Sequence, residues 1–178
     1  MRRCCAKSNS NRGVTLVELL VTLVIAAILL TLAAPSFNEF IQRSNTSTAV
    51  DKFVESINLA RSEAIKRGLQ VVIRKTGSHW EDGWTIFSDN NRNGQLSTTD
   101  GDELLYSQSK LEHGFTLRTD STTSTWFAYL PSGFIKGDIS NNTKFFLCRH
   151  DKDKPKSRTI KVNNAGNVYI SEGVTTCP

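Results

Sequence analysis

The feature that most constrains this chain is an apolar run of 21 residues, from Val14 to Ala34, that contains one charged side chain. As an α-helix this run is about 31 Å long, because each residue adds about 1.5 Å, and that length matches the hydrocarbon core of a bilayer. The single charge is Glu18, and a carboxylate inside a membrane helix costs roughly 2.5–3.5 kcal/mol on insertion scales. The run therefore predicts a membrane-spanning helix whose carboxylate is compensated by another group.

A short basic segment precedes the apolar run. The first 13 residues contain four basic side chains and no acidic one, whereas the rest of the chain has 18 basic and 17 acidic residues. The net charge of +5 therefore mainly reflects this segment, which the positive-inside rule places in the cytoplasm. An ordinary secretory signal is cleaved after its apolar stretch, but Pro35 makes a poor cut site there. We expect instead that residues 1–13 are a leader removed by cleavage after Gly13.

Helical character continues beyond the apolar run. We assign residues 14–36 to a transmembrane helix and residues 37–68 to an amphipathic helix, and we expect Pro35 to kink the axis. In the second part, apolar residues recur at i, i+3 and i+4 and predict one buried face, while charged residues such as Arg61 fall mostly on the opposite side. The predicted buried face consists of Ala49, Val50, Phe53, Val54, Ile57, Ala60, Ala64 and Ile65. Gly68 suits the position just after the helix, because glycine adopts the left-handed conformation common there.

From residue 69 onwards the pattern changes to short β-type segments separated by Gly, Asn, Asp and Ser. The predicted strands are 70–76, 83–88, 103–107, 115–118, 125–130, 144–149, 157–162 and 167–171. The expected fold class is α+β. A long N-terminal helix, with a transmembrane half and an amphipathic half, packs against a C-terminal antiparallel β-sheet or β-sandwich head over residues 69–178.

The four cysteines divide between the two ends of the chain. Cys4 and Cys5 lie in the leader, whereas Cys148 and Cys177 lie near the C-terminus. Once the leader is removed, the last two can form one disulfide, which closes a loop of about 30 residues and contributes roughly 3–4 kcal/mol of stability. Such a bond indicates an oxidising compartment such as the bacterial periplasm. The alternative is a pair of free buried thiols.

The segment Gly13-Val14-Thr15-Leu16-Val17-Glu18-Leu19, after a basic leader, resembles the motif of type IV pilin-like proteins. This class includes pilins, minor pilins and pseudopilins. The segments 58–68 (Asn-Leu-Ala-Arg-Ser-Glu-Ala-Ile-Lys-Arg-Gly) and 83–94 resemble the GspH/FimT branch of the class. The resemblance implies that a prepilin peptidase cuts after Gly13 and methylates the new amine of Val14. It also implies a periplasmic β-rich head and assembly into a helical filament.

Glu18 has a role consistent with this resemblance. In a helical stack of subunits, the Glu18 carboxylate of one subunit can neutralise the Val14 amine of its neighbour. That pairing would set the axial register of the subunits and favour their extraction from the bilayer. The alternative is a glutamate that snorkels to the membrane edge of a plain anchor.

We therefore expect a minor pilin or pseudopilin, a low-copy structural subunit of a type IV pilus or a type II secretion pseudopilus. Before assembly it is expected in the bacterial inner membrane as a single-pass protein, with its N-terminus cytoplasmic and its head periplasmic. The expected partners are other pilins or pseudopilins, the prepilin peptidase, the inner-membrane assembly platform and the lipid bilayer.

A basic segment between the two C-terminal cysteines indicates an alternative function, DNA binding during natural transformation. Its candidate residues are Arg149, Lys152, Lys154, Lys156, Arg158 and Lys161. Some FimT-type proteins bind DNA through a Gly-Arg-x-Arg motif near the C-terminus. This chain has Gly166-Asn167-Val168-Tyr169 at that place and lacks both arginines. The other interpretation of the basic segment is a solvated turn.

Asp89, Asn91, Asn93 and Gly94 match the start of a calcium loop, Asp-x-Asn-x-Asn-Gly, with Asp100 at its twelfth position. Oxygen atoms at alternate positions, and a glycine for the sharp turn, are what a hard cation requires. The flanks are predicted strands rather than EF-hand helices, and Asp100 lacks the reach of the usual bidentate glutamate. Ca²⁺ bound by the four Asp and Asn residues is one interpretation. A hairpin turn held by Asx-type hydrogen bonds is the other, and no other cofactor is expected.

Catalysis has little support in the sequence. His79, His113 and His150 are scattered, without the spacing of a metal site or a catalytic triad. The three tryptophans, Trp80, Trp84 and Trp126, are expected to pack in the head rather than to form a binding platform. We therefore expect a protein that is not an enzyme, and a membrane-anchored enzyme is the weakest alternative.

Overall fold

The structure is a computed structural model of the chain. The residues that it describes are 13–120, 124–139 and 142–177, of which 32–36 are described by their backbone alone. The predicted leader, including Cys4 and Cys5, lies outside these residues except for Gly13. The described part forms one long α-helix, nine β-strands and two short 3-10 helices. Contacts group the chain into two compact units, Met1–Gln42 and Arg43–Pro178.

The N-terminal helix, α1, is a single element of 52 residues, Leu16–Arg67. It ends as predicted, because Gly68 has a φ of 67° and its N–H donates to the Ala64 carbonyl at 3.0 Å. Residues 42–48 belong to the helix although they are rich in Ser, Thr and Asn, which are weak helix formers. Tertiary packing overrides these propensities, since Thr46 in this stretch is only 1% exposed.

Two antiparallel sheets follow α1. The first sheet consists of β1 (Gln70–Lys75), β2 (Trp84–Asp89), β3 (Glu103–Gln108), β5 (Trp126–Tyr129) and β6 (Ile135–Gly137). The second consists of β4 (Thr116–Thr119), β7 (Thr143–Cys148), β8 (Arg158–Val162) and β9 (Val168–Glu172). The strand orders are β3-β2-β1-β5-β6 and β4-β7-β8-β9, and all neighbouring strands are antiparallel.

The predicted α+β class is confirmed, and so is the antiparallel β-rich head. All eight predicted strands are present, with each end within one residue of its predicted position. The sequence does not predict β6, because its three residues end in Gly137 and show no alternation of apolar and polar side chains. β6 forms through its pairing with β5, in which Phe127 lies opposite Gly137.

The core of the head forms where α1 meets both sheets. Phe53 on α1 is fully buried, and its ring centroid lies 5.1 Å from that of Trp84 in β2 and 4.8 Å from that of Phe145 in β7. Trp80, from the short 3-10 helix between β1 and β2, packs against the same ring at 5.9 Å. One aromatic side chain of the helix therefore contacts both sheets, as the helical periodicity and the aromatic content of the strands predict in outline.

Ile65 departs from the predicted burial, and Trp126 packs in the head as expected but outside its main core. Ile65 belongs to the predicted buried face of the helix but is 54% exposed, because it lies in the last turn, near Gly133 at the surface of the head. Trp126 is only partly buried and packs on the opposite side of the first sheet, against the small cluster Val72, Phe87 and Ala128. Periodicity indicates which way a side chain points, but the extent of the covering layer decides whether it is buried.

Tyr129 provides a prediction about alkaline stability. Its side chain is buried and its hydroxyl donates to the Gly166 carbonyl at 3.0 Å. Burial raises the pKa of Tyr129 from 10.0 to about 12. Because the unfolded chain then loses this proton first, stability is fully present below pH 10 and falls as the pH rises towards 12, by up to roughly 3 kcal/mol.

The measurement is the tyrosinate absorbance of the detergent-solubilised chain between pH 9 and 13. We expect a late-ionising component with its midpoint near pH 12, and we expect Tyr129→Phe to remove that component. A Tyr129→Phe titration that has the same late component would contradict the assignment.

Candidate functional site

The start of α1 presents the predicted processing and assembly residues. Gly13, Val14 and Thr15 precede the helix, and Val14 is 70% exposed. The Glu18 amide donates to the Thr15 hydroxyl at 3.2 Å, which makes Thr15 the N-cap residue. The Thr-x-x-Glu spacing is typical of a helix start, and a carboxylate in the first turn interacts favourably with the positive end of the helix dipole. The predicted cut after Gly13 thus lies in an exposed, non-helical segment next to a capped helix.

Glu18 is exposed, and within the described residues it takes part in no ion pair. Its charge is therefore not neutralised by any described side chain of its own subunit. The predicted pairing of Glu18 with the Val14 amine of a neighbouring subunit needs a carboxylate that is available in this way. That pairing, and the processing roles of Gly13 and Val14, stay predictions.

The first turns of α1 carry an uncovered apolar surface. Eleven apolar side chains between Leu16 and Leu30 are each 48–79% exposed. The hydroxyls of Thr22 and Thr31 donate to the carbonyls of Leu19 and Ile28 at 2.8 and 2.7 Å, so these two groups are satisfied inside the helix. A helix surface that is apolar on all sides requires a nonaqueous neighbour. In the part of the chain whose side chains are described, no helix meets the length and hydropathy criteria for a membrane span.

The C-terminal disulfide is confirmed. Cys148 at the end of β7 is bonded to Cys177, with their Cα atoms 5.7 Å apart. The bond attaches the C-terminal segment to the second sheet, and this segment follows directly after β9. The two thiols of the alternative interpretation are therefore not free.

Several cations of the predicted basic segment have partners in their own chain. Arg149 is 3% exposed and its guanidinium contacts the Asp151 carboxylate at 2.9 Å. Lys156 pairs with Asp153 at 3.3 Å. These pairs reduce the positive charge that the segment presents to a polyanion.

The remaining candidates for DNA contact lie in different elements. Arg158 in β8 pairs with Glu172 in β9 at 3.0 Å. Lys152 and Lys154 are exposed in the loop before β8, whereas Lys161 lies within β8. DNA binding stays a prediction, and the ion pairs are those expected of the alternative, a solvated turn.

The four candidate Ca²⁺ ligands take part in a hydrogen-bonded turn between β2 and β3. Asp89 is 1% exposed, and its carboxylate accepts from the Gly94 amide and the Gln70 side chain, both at 2.8 Å. The side-chain oxygen of Asn91 accepts from the Asn93 amide at 3.1 Å. The side-chain oxygen of Asn93 accepts from the Gln95 amide at 2.7 Å. The Asp100 carboxylate accepts from the Asn91 side-chain amide at 2.9 Å. The amide hydrogen bonds accepted by Asn91 and Asn93 are Asx-type bonds, as in the second interpretation of the loop.

A metal site is not evident in the described residues, since they contain no group of three or more His, Cys, Asp or Glu placed to hold an ion.

We predict that Asp89→Ala destabilises the head by about 2–4 kcal/mol, because it leaves buried donors without an acceptor. Asp100→Ala, the matched exposed control, should cost less than about 0.5 kcal/mol. Thermal unfolding of both variants measures this difference. Repeating the wild-type scan with millimolar Ca²⁺ distinguishes the two interpretations of the loop: a hairpin turn predicts an unchanged melting temperature, whereas an ion site predicts a higher one.

Arg61 has a structural role that the sequence pattern does not reveal. Helical periodicity places it with the solvent-facing charges, yet its guanidinium donates to the carbonyls of Ala165 and Gly166 at 3.1 and 3.2 Å and to the Asn167 side chain at 3.1 Å. It thereby holds the turn between β8 and β9 against α1. The sequence contains one indication that Arg61 has such a role: it lies in the segment 58–68, which carries the resemblance to the GspH/FimT branch.

Comparisons with known proteins agree with this architecture. Residues 49–166 match the family model described as type II transport protein GspH, and residues 8–34 match the prokaryotic N-terminal methylation motif. No curated protein matches the chain. The first match includes the segments 58–68 and 83–94, and the second includes residues 13–19, which are the segments that carry the resemblance.

Two solved structures are similar to this chain in fold. The type IV minor pilin FimU of Pseudomonas aeruginosa aligns with a TM-score of 0.63 and 16% identity, over 78% of this chain and 99% of FimU. The minor pseudopilin EpsH from the type 2 secretion system of Vibrio cholerae aligns with a TM-score of 0.51 and 14% identity, over 72% of this chain and 97% of EpsH. Since the GspH model covers about two thirds of the sequence, this chain belongs to the GspH family, and its fold agrees with that of both structures.

Proposed function

We propose that this protein is a low-copy subunit of a helical filament, a type IV pilus or a type II secretion pseudopilus, into which it assembles through the N-terminal part of α1. The observation that carries the proposal is the apolar surface between Leu16 and Leu30, which is uncovered in the subunit and has one carboxylate at its start. Lipid before assembly and the helices of neighbouring subunits after assembly both supply the apolar surroundings that this surface needs.

The proposal includes processing by a prepilin peptidase. Gly13, Val14 and Thr15 are exposed and non-helical, which gives such an enzyme access to the peptide bond after Gly13. Cleavage there creates a positively charged amine on Val14, close to the first turn that holds Glu18. In the apolar filament core, a charge left alone is strongly unfavourable, so the amine of one subunit and the carboxylate of another stabilise each other.

The same arrangement supports a location and a nonenzymatic role. The charge distribution and the N-methylation motif support a basic leader in the cytoplasm, an apolar helix in the inner membrane and a head in the periplasm. The Cys148–Cys177 disulfide suits the oxidising periplasm. The head then contacts other subunits rather than a substrate, and the assembly platform is the expected partner in the membrane.

Mass spectrometry and filament purification test the proposal. Cells that express the full chain together with its own pilus and secretion genes should yield a protein that begins at N-methylated Val14. That protein should be present at low abundance in sheared filaments of one of the two systems. Deletion of either filament's major subunit distinguishes the two machines. Full-length chain that retains residues 1–13 and is absent from both filament fractions would contradict the proposal.

A further inference from the structure

We propose that β9 is a docking edge that accepts an extended strand from a different subunit of the filament, so that the second sheet gains a fifth strand. This inference rests on the proposed function, because a filament brings the heads of neighbouring subunits together. The incoming strand has an apolar side chain beside Ile170 and an acidic side chain near the lysines of β7 and β8.

The free edge of β9 presents unused backbone groups. β9 is the last strand of its sheet and pairs with β8 alone. At the two ends of this pairing, the Asn163 amide donates to the Asn167 carbonyl at 3.1 Å and the Gly173 amide donates to the Ser157 carbonyl at 2.9 Å. Hydrogen-bonded pairs alternate along an antiparallel ladder, so the odd-numbered residues of β9 bond to β8.

It follows that Val168, Ile170 and Glu172 direct their N–H and C=O groups away from β8. No described strand occupies that side. An extended segment placed there would form main-chain hydrogen bonds with these three residues, in the manner of β-strand addition. The backbone geometry of β9 therefore favours an extended β-strand as the occupant of this edge.

The side chains of β9 are unusually exposed for a sheet. Ile170 lies opposite Ile160 on the core side of the sheet, and Ile160 is fully buried whereas Ile170 is 50% exposed. On the other face, Tyr169 is 54% exposed. An added strand would cover apolar surface on both faces of the sheet.

The outer face beside the edge carries unpaired positive charge. A groove of about 470 Å³ is lined by Phe146, Thr159 and Tyr169, by Lys144 and Lys161, and by Glu172, whose carboxylate is paired with Arg158. These two lysines are directly opposite each other in the β7–β8 pairing, and within the described residues neither has a carboxylate partner. Like charges in opposite positions repel, and an acidic side chain from the incoming segment would relieve that repulsion.

The other sheet edges are protected in ways that β9 is not. β6 has three residues and contains Lys136, and the register of β3 shifts at an irregularity opposite Ile86 and Phe87. β4 has four residues, and its Arg118 is paired with Glu81 from the adjacent 3-10 helix. β9 has five residues, no proline, no lysine and a regular register. Short strands, lysines and bulges are the usual means of preventing strand addition, so their absence favours a partner.

Both ends of β9 are held in place before any partner arrives. Arg61 and Tyr129 bond to the turn that precedes it. After it, the Thr159 hydroxyl donates to the Gly173 carbonyl at 2.7 Å, and the disulfide holds the C-terminal segment. Such preorganisation lowers the entropic cost of binding a strand.

A different subunit fits this edge better than a second copy of the chain. Two β9 strands paired about a twofold axis would form a closed, isologous dimer, whereas a helical filament uses heterologous contacts between successive subunits. A low-copy subunit also has few copies of itself nearby. The partner is therefore a pilin-like protein with an exposed extended segment.

The test uses full-length chain in cells that assemble the filament. Ile170→Lys adds a charge on the core side of the free edge and leaves the β8 pairing intact, so its abundance in sheared filaments should fall about tenfold or more. Tyr106→Lys is the matched control, because β3 is an edge strand of similar length, with six residues. Its abundance in sheared filaments should equal that of the wild type. N-terminal processing, and protease resistance of the head after Cys148–Cys177 oxidation, must equal wild type for all variants.

Crosslinking identifies the occupant. Ile170→Cys, labelled in intact filaments with a maleimide that carries a photoreactive benzophenone and then irradiated, should insert into a C–H bond of the neighbouring strand and give a product whose mass equals this chain plus a different subunit. A product of twice this chain's mass would overturn the proposal in favour of self-pairing. Unchanged incorporation of Ile170→Lys would overturn the docking edge alone, whereas absence of wild-type chain from filaments would contradict the proposed function instead.

Discussion

Glu18→Ala should leave the protein in the membrane and reduce its incorporation into filaments by about two to four orders of magnitude, since removing one partner of a buried ion pair typically costs 3–5 kcal/mol. The substitution removes the only acidic side chain from the apolar part of α1. The Val14 amine of the neighbouring subunit would then enter the filament core without a counter-charge. In lipid, by contrast, the variant is more stable than the wild type, so the equilibrium shifts from filament to membrane.

The measurement is the ratio of this chain in sheared filaments to that in membranes, by quantitative immunoblot. Glu18→Gln, which keeps the shape of the side chain but not its charge, should behave like Glu18→Ala. Thr22→Ala, one turn later in the same exposed helix, is the control and should assemble normally because its hydroxyl bonds only within the helix. Normal filament levels of Glu18→Gln would contradict the proposed intersubunit charge pair and favour the alternative, a glutamate that snorkels to the membrane edge.

Phe53→Ala should destabilise the head by about 3–5 kcal/mol, the usual cost of truncating a fully buried phenylalanine. The Phe53 ring contacts Trp80, Trp84 and Phe145 in edge-on arrangements, so the truncation removes contacts to α1 from both sheets. For a chain of this size the melting temperature should fall by roughly 6–20 °C. Loss of the T-shaped pairs adds to the loss of apolar burial.

Tryptophan fluorescence during thermal unfolding of the detergent-solubilised chain reports this change directly, because two of the contacts involve tryptophan. Ile65→Ala is an instructive control. The helical pattern assigns Ile65 to the same buried face as Phe53, but Ile65 is 54% exposed and its truncation should cost less than about 1 kcal/mol. Equal destabilisation by the two variants would show that both residues are buried and would contradict this packing.

The prediction of the processing and assembly residues needs no structure, because these residues are contiguous. Gly13, Val14 and Glu18 lie within six residues, and their meaning depends on charge, hydropathy and order along the chain. The same is true of the strands, whose alternation is a local property, and of the helix end at Gly68, which needs a residue with φ of 67°. β6 could not be predicted in this way, because three residues are too few to show an alternation of apolar and polar side chains.

What the sequence by itself determined is the N-terminal helix with its motif, the α+β class and the limits of eight strands. Tertiary structure alone decided which edge of the head is open, that Arg61 holds the β8–β9 turn, and that Asp89 is buried as an acceptor of local hydrogen bonds. The physical reason is range. Propensity, period and charge act between residues a few positions apart, whereas strand order and burial depend on contacts such as the one that joins Arg61 to Ala165, 104 positions away along the chain.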